Sequence, residues 1–320
     1  MTRPVDDDST AADSTDPHRA TRDLLVAELD AKRFGHPGYL PWFYDDNPRG
    51  AAIQQHDDDP ETGRRIAHYA VLPTTMRTPT SPQAFIFSSN VATDSSTRRS
   101  GLFRALAERM YADAAASGAP AMVGVGNDAS TVVVVERFGW RRIGPMRAKV
   151  CVPSAPRGIV SHRVDEAFLA SPVFAEITQG LDDVPVRAWA QSWDSAFLRW
   201  RLSRPDGGYV VHVSANALAV SVRTRGPLGI PFAVLLKVWP RPGATLPASG
   251  APMAGAAMRS HSAPLCVYAG WNEHVHVRGV VVPHRFQPSP LNVVVKGFDP
   301  AFDADAFSLD TWELLDMDAY

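Results

Sequence analysis

The stretch Thr93-Asp94-Ser95-Ser96-Thr97-Arg98-Arg99-Ser100-Gly101-Leu102-Phe103-Arg104-Ala105-Leu106 (TDSSTRRSGLFRAL) leaves a strand-like run and opens a helix. Upstream, AFIFSSNVA (84–92) has the apolar and aromatic make-up of a strand. Downstream, GLFRALAERMYADAAASG (101–118) sets Leu102, Leu106, Met110 and Ala114 along one helical face, with Gly118 as a stop. A helix start offers unpaired N–H groups and the positive end of the helix dipole, and glycine lets a ligand approach the backbone. With two arginines beside it, this is a place for a phosphate or pyrophosphate. The same residues also read as a capped surface helix with its arginines in water.

Two rival phosphate signatures can be tested on the same chain. The P-loop pattern GxxxxGK[ST] is absent, which removes the nucleotide hydrolases and kinases of that class. Gly124-Val125-Gly126-Asn127-Asp128-Ala129 matches a GxGxxA dinucleotide fingerprint between a strand and a helix. However, no Asp or Glu stands between Arg137 and Val164 to hold a ribose, and the motif lies deep in its half of the chain.

Working outward, residues 1–15 are small, acidic and hydroxyl-bearing, the composition of a disordered tail. Asp16-Pro17 starts a helix expected to run to about Phe34. The aromatic, turn-rich YLPWFYDDNPRG (39–50) follows, then a hairpin from AAIQQ and RRIAHYAVLP. After the 101–118 helix come a buried strand AMVGVGN (121–127), a short helix over 129–139 and one or two strands in 140–152. PSAPRG (153–158) reads as a linker into a second half. That half has helices near 164–179 and 193–203, a hairpin over 209–226, a strand FAVLLKVW (232–239), a Pro/Gly/Ala-rich loop (240–255), and strands around LCVYAG and NVVVKGF.

With 320 residues, the chain has the length of two ordinary cores. Hydrophobic residues make up 45% and charged residues 21%, a globular composition, and the net charge of -2 gives no large basic surface for nucleic acid or an anionic membrane. No run of eighteen apolar residues occurs and the N-terminus is acidic, so the expectation is a soluble cytoplasmic protein. Cys151 and Cys266, far apart in apolar runs, read as buried reduced thiols. His274-Val275-His276 puts two imidazoles on one strand face without an evident third ligand, so no metal is expected.

The arginine–glycine loop and its surroundings resemble the GCN5-related N-acetyltransferase (GNAT) superfamily. Arg98-Arg99-Ser100-Gly101-Leu102-Phe103 is similar to that family's (Q/R)xxGx(G/A) acyl-CoA loop, with Phe103 in place of the last small residue. The element order over 16–152 is also similar. Asn127 and Ser130, ahead of Gly139-Trp140, resemble the family's Nxx(A/S)…GF segment. The resemblance implies an α+β fold, a mixed but mostly antiparallel sheet flanked by helices. It also implies acetyl-CoA or a related acyl-CoA as co-substrate, held by Val91, Thr93, Arg98, Arg99, Ser100, Gly101, Leu102, Phe103, Asn127 and Ser130.

In the second half no such loop stands after FAVLLKVW. SWDSAFLRWRLSRPDGGY, FQPSPLNVVVKGF and TWELLDMDAY look similar to the C-terminal halves of bacterial two-module GNAT proteins. The expectation is therefore an acyl-CoA-binding domain over 16–152 and a second GNAT-like domain over 153–320 that lacks the pyrophosphate loop.

Acyl transfer to an amine needs an unprotonated nucleophile, donors for the oxyanion and an acid for the leaving thiolate. The family's tyrosine acid would fall at Val134, and AFIFSSNVA carries no glutamate base. The candidates for catalysis are His68, Tyr44 and Asp45, with Tyr39, Asp46, Tyr69, Ser88 and Ser89 behind them. The resulting expectation is an N-acyltransferase working by direct attack, since neither cysteine falls in the expected site. The alternative is a non-catalytic acyl-CoA-binding module, favoured by the missing glutamate and tyrosine.

Overall fold

The computed structural model describes residues 16–29, 31–97, 101–226, 229–287 and 289–317. The expected tail 1–15 lies outside them, as do Arg98, Arg99 and Ser100 of the arginine–glycine loop.

The first half holds α1 (Arg19–Glu28), β1 (Ile53–Asp58), β2 (Arg65–Arg77), β3 (Pro82–Thr93), α2 (Leu102–Ala116), β4 (Ala121–Asn127), α3 (Asp128–Phe138), β5 (Arg141–Met146) and β6 (Ala148–Cys151). The first helix stops six residues before Phe34, because Leu29 turns extended and the chain resumes as a 3-10 turn over Lys32–Gly35. A π-helical turn over Pro41–Asp45 buries Trp42, Phe43 and Tyr44. Four consecutive valines do not prevent α3 from forming. Asn127 caps it by accepting the Ser130 N–H at 2.9 Å, and Gly139 ends it at φ 68°.

The second half holds β7 (Val160–Arg163), α4 (Glu166–Leu169), α5 (Pro172–Thr178), β8 (Ala190–Gln191), α6 (Ser195–Leu202), β9 (Val210–Val213), β10 (Ala217–Arg225) and β11 (Pro231–Pro240). After these come β12 (Ala248–Ser249), α7 (Ala251–Ser260), β13 (Cys266–Asn272), β14 (Val275–His276), β15 (Gly279–Val281), β16 (Leu291–Gly297) and β17 (Thr311–Glu313). The single helix expected near 164–179 is two, because Ser171 caps a fresh start with Pro172 in its first turn. The loop expected over 240–255 runs into α7. There a proline in the first turn and an alanine-rich run outweigh the glycines.

The fold is α+β, built on two mostly antiparallel sheets with helices against them. The first sheet has the order β1-β2-β3-β4-β16-β5, with β8 on β2; the second has β15-β6-β13-β11-β10-β9-β7, with β17 on β13. Each sheet thus takes a strand from the other half of the chain. β16 lies between β4 and β5, while β6 leaves the first sheet after Arg147 and pairs with β13. The sheets do not divide at residue 152, where the linker was expected. The β6–β13 register, Val150↔Val267, also sets Cys151 opposite Cys266, so two thiols remote in sequence become cross-strand neighbours, both free and buried.

One face of the first sheet packs on α2 and α3 through Leu106, Met110, Ala114 and Trp140. The other face shares a core with the second half. There Trp42 and Trp200 stack at 5.3 Å, each indole N–H donating to the other's carbonyl oxygen at 2.8 and 2.9 Å.

Candidate functional site

The parallel pair β3–β4 is short. It runs from Ile86↔Met122 to Ser88↔Gly124. Beyond that point β3 stays with β2 as far as Thr93 and β4 stays with β16 as far as Asn127, so the two strands separate into a V. Within the V the facing backbone groups of two neighbouring strands no longer satisfy each other, which leaves them open to a ligand. The V and the helix starts above it enclose a cavity of about 1230 Å³.

Each part of this cleft has a local cause. At the apex, a side chain on Gly124 would come within 3.2 Å of Ser88 Cβ and 3.3 Å of the Trp140 ring. At the mouth, one on Gly126 would meet Ser130 Oγ at 2.6 Å, so glycine lets α3 start directly above the strand. Gly101, which precedes α2, has φ 82°, a left-handed conformation costly for other residues, and the space beside it is open. Asp94 shapes the loop leading there: it accepts from the Ser96 N–H and hydroxyl and pairs with Arg64 at 2.6 Å. Those hydrogen bonds from Ser96, with Arg64, hold its carboxyl at about 2.

On the β3 side a bulge inserts one residue opposite Tyr69. Asn90 adopts φ 44° there, a conformation that asparagine tolerates better than most residues. Its Nδ2 donates to Tyr44 Oη at 3.1 Å, and Tyr44 Oη in turn contacts His68 Nε2 at 2.9 Å. This buried trio buttresses the bulge from the α1 side of the sheet. Burial first, then the nearby positive charges, lowers His68 to about 3, so its imidazole is neutral.

Of the residues expected from sequence to hold the co-substrate, Val91, Thr93, Gly101, Leu102, Phe103, Asn127 and Ser130 all line this one cavity. The three expected catalytic residues do not. Tyr44 and His68 lie behind the wall, one contact away through Asn90, because the alternation of β2 turns His68 into the core. Asp45 pairs with His18 Nε2 at 2.8 Å beside α1. Tyr69, Ser88 and Ser89 line the cavity. So do Arg104, Tyr111, Arg137 and Trp140, which the sequence reading passed over. For Tyr111 the signal was present as helical spacing: it lies eight residues after Phe103, and both rings pack on Phe138.

Residues 58–143, which span β2 to β5 and so both walls of the V, match the family model described as an acetyltransferase (GNAT) domain. That stretch is a GNAT acetyltransferase domain. Among solved structures, a GCN5-related N-acetyltransferase from Anabaena variabilis is similar at a TM-score of 0.57 and 11% identity, over 88% of this chain and 70% of that one. A conserved protein of unknown function from Enterococcus faecalis V583, described as a probable N-acyltransferase, is similar at 0.56 and 11%, again over 88% and 70%. At that identity the likeness is one of fold. No curated protein matches the sequence. Among the described residues, no group of three His, Cys, Asp or Glu side chains could hold a metal ion. No described helix is long and apolar enough to cross a membrane.

Proposed function

We propose that the chain is an N-acyltransferase that takes an acetyl or related acyl group from acyl-CoA and passes it to an amine of a small acceptor. The observation that carries this reading is the V between β3 and β4 with the α2 N-terminus and Gly101 at its mouth. In this reading the pyrophosphate lies against the start of α2, with Arg98 and Arg99 as its cationic partners in sequence and Arg104 and Arg137 at the cavity wall. The pantetheine arm takes the hydrogen-bonding groups that β3 and β4 no longer offer each other. At the bulge, a main-chain N–H of Ser89–Val91 serves the developing oxyanion. The amine attacks the thioester directly, because Cys151 and Cys266 sit on the second sheet away from the cleft.

Calorimetric titration with acetyl-CoA tests the reading, with Gly101→Glu in parallel. The wild type should bind one equivalent. The variant puts a carboxylate and an unfavourable φ where the pyrophosphate would sit, and should lose at least about tenfold in affinity, roughly 1.4 kcal/mol. Release of CoA across a panel of amines then separates transfer from binding alone. Absence of acetyl-CoA binding by the wild type would sink the proposal.

A further inference from the structure

Four strands of the second sheet carry a row of small residues across one face. β15 sets Gly279 opposite Cys151 of β6, the β6–β13 register sets Cys151 opposite Cys266, and β11 sets Ala233 beside Cys266. In that register the Gly270 N–H donates to the Arg147 carbonyl oxygen, so by alternation Cys151 and Cys266 are a hydrogen-bonded pair, with Cα atoms about 5.5 Å apart. That spacing lies within the range a disulfide bridges, and the outer members of the row are the two smallest residues. The two thiols are not equivalent. Cys151 is 6% exposed and lies one strand from the sheet edge, beside the three-residue β15, whose Val280 and Val281 are open to solvent; Cys266 is fully buried. Hydrogen bonding from Cys266, with help from Lys149 two residues back on β6, lowers the Cys151 thiol in spite of burial. The same hydrogen bond and burial push Cys266 up, and its sulfur also contacts the Val267 carbonyl oxygen at 3.8 Å.

We propose that this pair is a thiol-oxidation site, at which a peroxide is reduced to water and a disulfide closes from β6 to β13. The Cys151 sulfur attacks one peroxide oxygen and the O–O bond breaks. The departing oxygen leaves as water with the Cys151 proton, and a sulfenic acid remains. The Cys266 sulfur then attacks the Cys151 sulfur, the S–O bond breaks, and the hydroxide leaves as water with the Cys266 proton. Two electrons pass from the two sulfurs to one peroxide. The bond ties the strand that leaves the first sheet to a strand far along the chain, and a cross-link closing so long a loop restricts the unfolded chain most.

The test uses the full chain and hydrogen peroxide at neutral pH, followed by unfolding and alkylation with N-ethylmaleimide. The intact mass should fall by two hydrogens with neither cysteine alkylated, and peptide mapping should join Cys151 to Cys266. The thermal midpoint should rise by at least about 3 °C, and dithiothreitol should reverse the change. Cys266→Ser should stop at a sulfenic acid on Cys151 that dimedone traps, whereas Cys151→Ser should leave Cys266 unreacted until it is unfolded. Wild type whose two thiols stay open to alkylation, or whose disulfides form only between chains, overturns the proposal; so does a Cys266 that oxidises as readily without Cys151. Should a serine variant fail to fold, the wild-type mass and peptide map decide by themselves. Neither the oxidation nor its readout involves the cleft, so the outcome is independent of the acyl-CoA reading.

Discussion

The two sheets follow one path and end it in opposite ways. In each, an antiparallel hairpin leads through a helix to a parallel strand: β2, β3, α2, β4 in the first, and β10, β11, α7, β13 in the second. In each, the parallel pairing lasts three residues before the strands part, ending at Ser88↔Gly124 and at Leu235↔Tyr268. The first V is a cavity. The second is filled by the C-terminal strand β17, which pairs with Gly270–Asn272 of β13.

The filling is polar and specific. Lys237, 2% exposed on β11, contacts Asp316 at 2.7 Å and Glu313 at 3.1 Å, and Trp193 Nε1 donates to Asp316 at 2.8 Å. Glu313 accepts the Val238 N–H at 3.3 Å, and Asn272 Nδ2 donates to the Val238 carbonyl oxygen at 2.8 Å, so the backbone freed by splaying is satisfied by side chains. Burial disfavours the Lys237 ammonium, but the two carboxylates outweigh it and its pKa is raised. Burial also pushes Glu313 up to about 7. The Lys237 ammonium held between the Asp316 and Glu313 carboxyl groups pairs opposite charges, the arrangement a dry interior requires. A V-shaped parting of strands therefore does not by itself make a binding site; what the rest of the chain puts into it decides.

The severest way to break this comparison is to separate the halves. A fragment of residues 16–152 lacks β16, whose Val293, Val294 and Val295 are buried between β4 and β5. It should fail to give a cooperative thermal transition, whereas a fragment that melts cooperatively would make the strand exchange an ornament. A smaller but sharper effect is expected from Asp316→Ala, which strips Lys237 and Trp193 of a buried partner and should cost about 3–5 kcal/mol in urea unfolding. Acetyl-CoA stoichiometry should stay at one. A second equivalent bound by that variant would mean that the second V is a latent site.

The gentlest test is pH. Burial lowers His68 behind the first cleft and His212 in the second sheet to about 3 from the ordinary 6.5. Between those values the unfolded chain binds more protons, so stability falls as pH falls, by up to about 1.4 kcal/mol per unit for each histidine. Glu313 opposes them between its ordinary 4.5 and its raised value, where the folded chain binds more protons. His68→Gln should flatten the slope by about half of the two-histidine contribution across about pH 4 to 6.5. An unchanged slope would mean that His68 is protonated in the folded state.

Much of the first sheet and the mouth of its cleft were legible because their determinants are local. An alternating strand, an amphipathic helix, the Asn127 cap and the glycines at 101 and 139 act within a few residues of where they stand. Helix α7 was equally local and was misread by giving weight to Pro and Gly over an alanine-rich run. The catalytic candidates were misplaced for another reason. Which face of β2 meets the cleft depends on pairing with β3 across a bulge, so His68 and Tyr69, adjacent in sequence, part to opposite sides.

The sequence by itself determined the element order of the first half, the starts of α2 and α3 and the likeness of residues 58–143 to an acetyltransferase domain, since caps, periodicity and a glycine's left-handed turn are properties of short segments. Only the tertiary structure decided that β16 and β6 change sheets, that Cys151 faces Cys266, that the second V is closed by β17 and that Tyr111 meets Trp140 at the base of the first. Each of those joins residues tens to hundreds of positions apart. Such pairings are chosen by the burial and hydrogen bonding of the whole chain together, and no short window of sequence contains both partners.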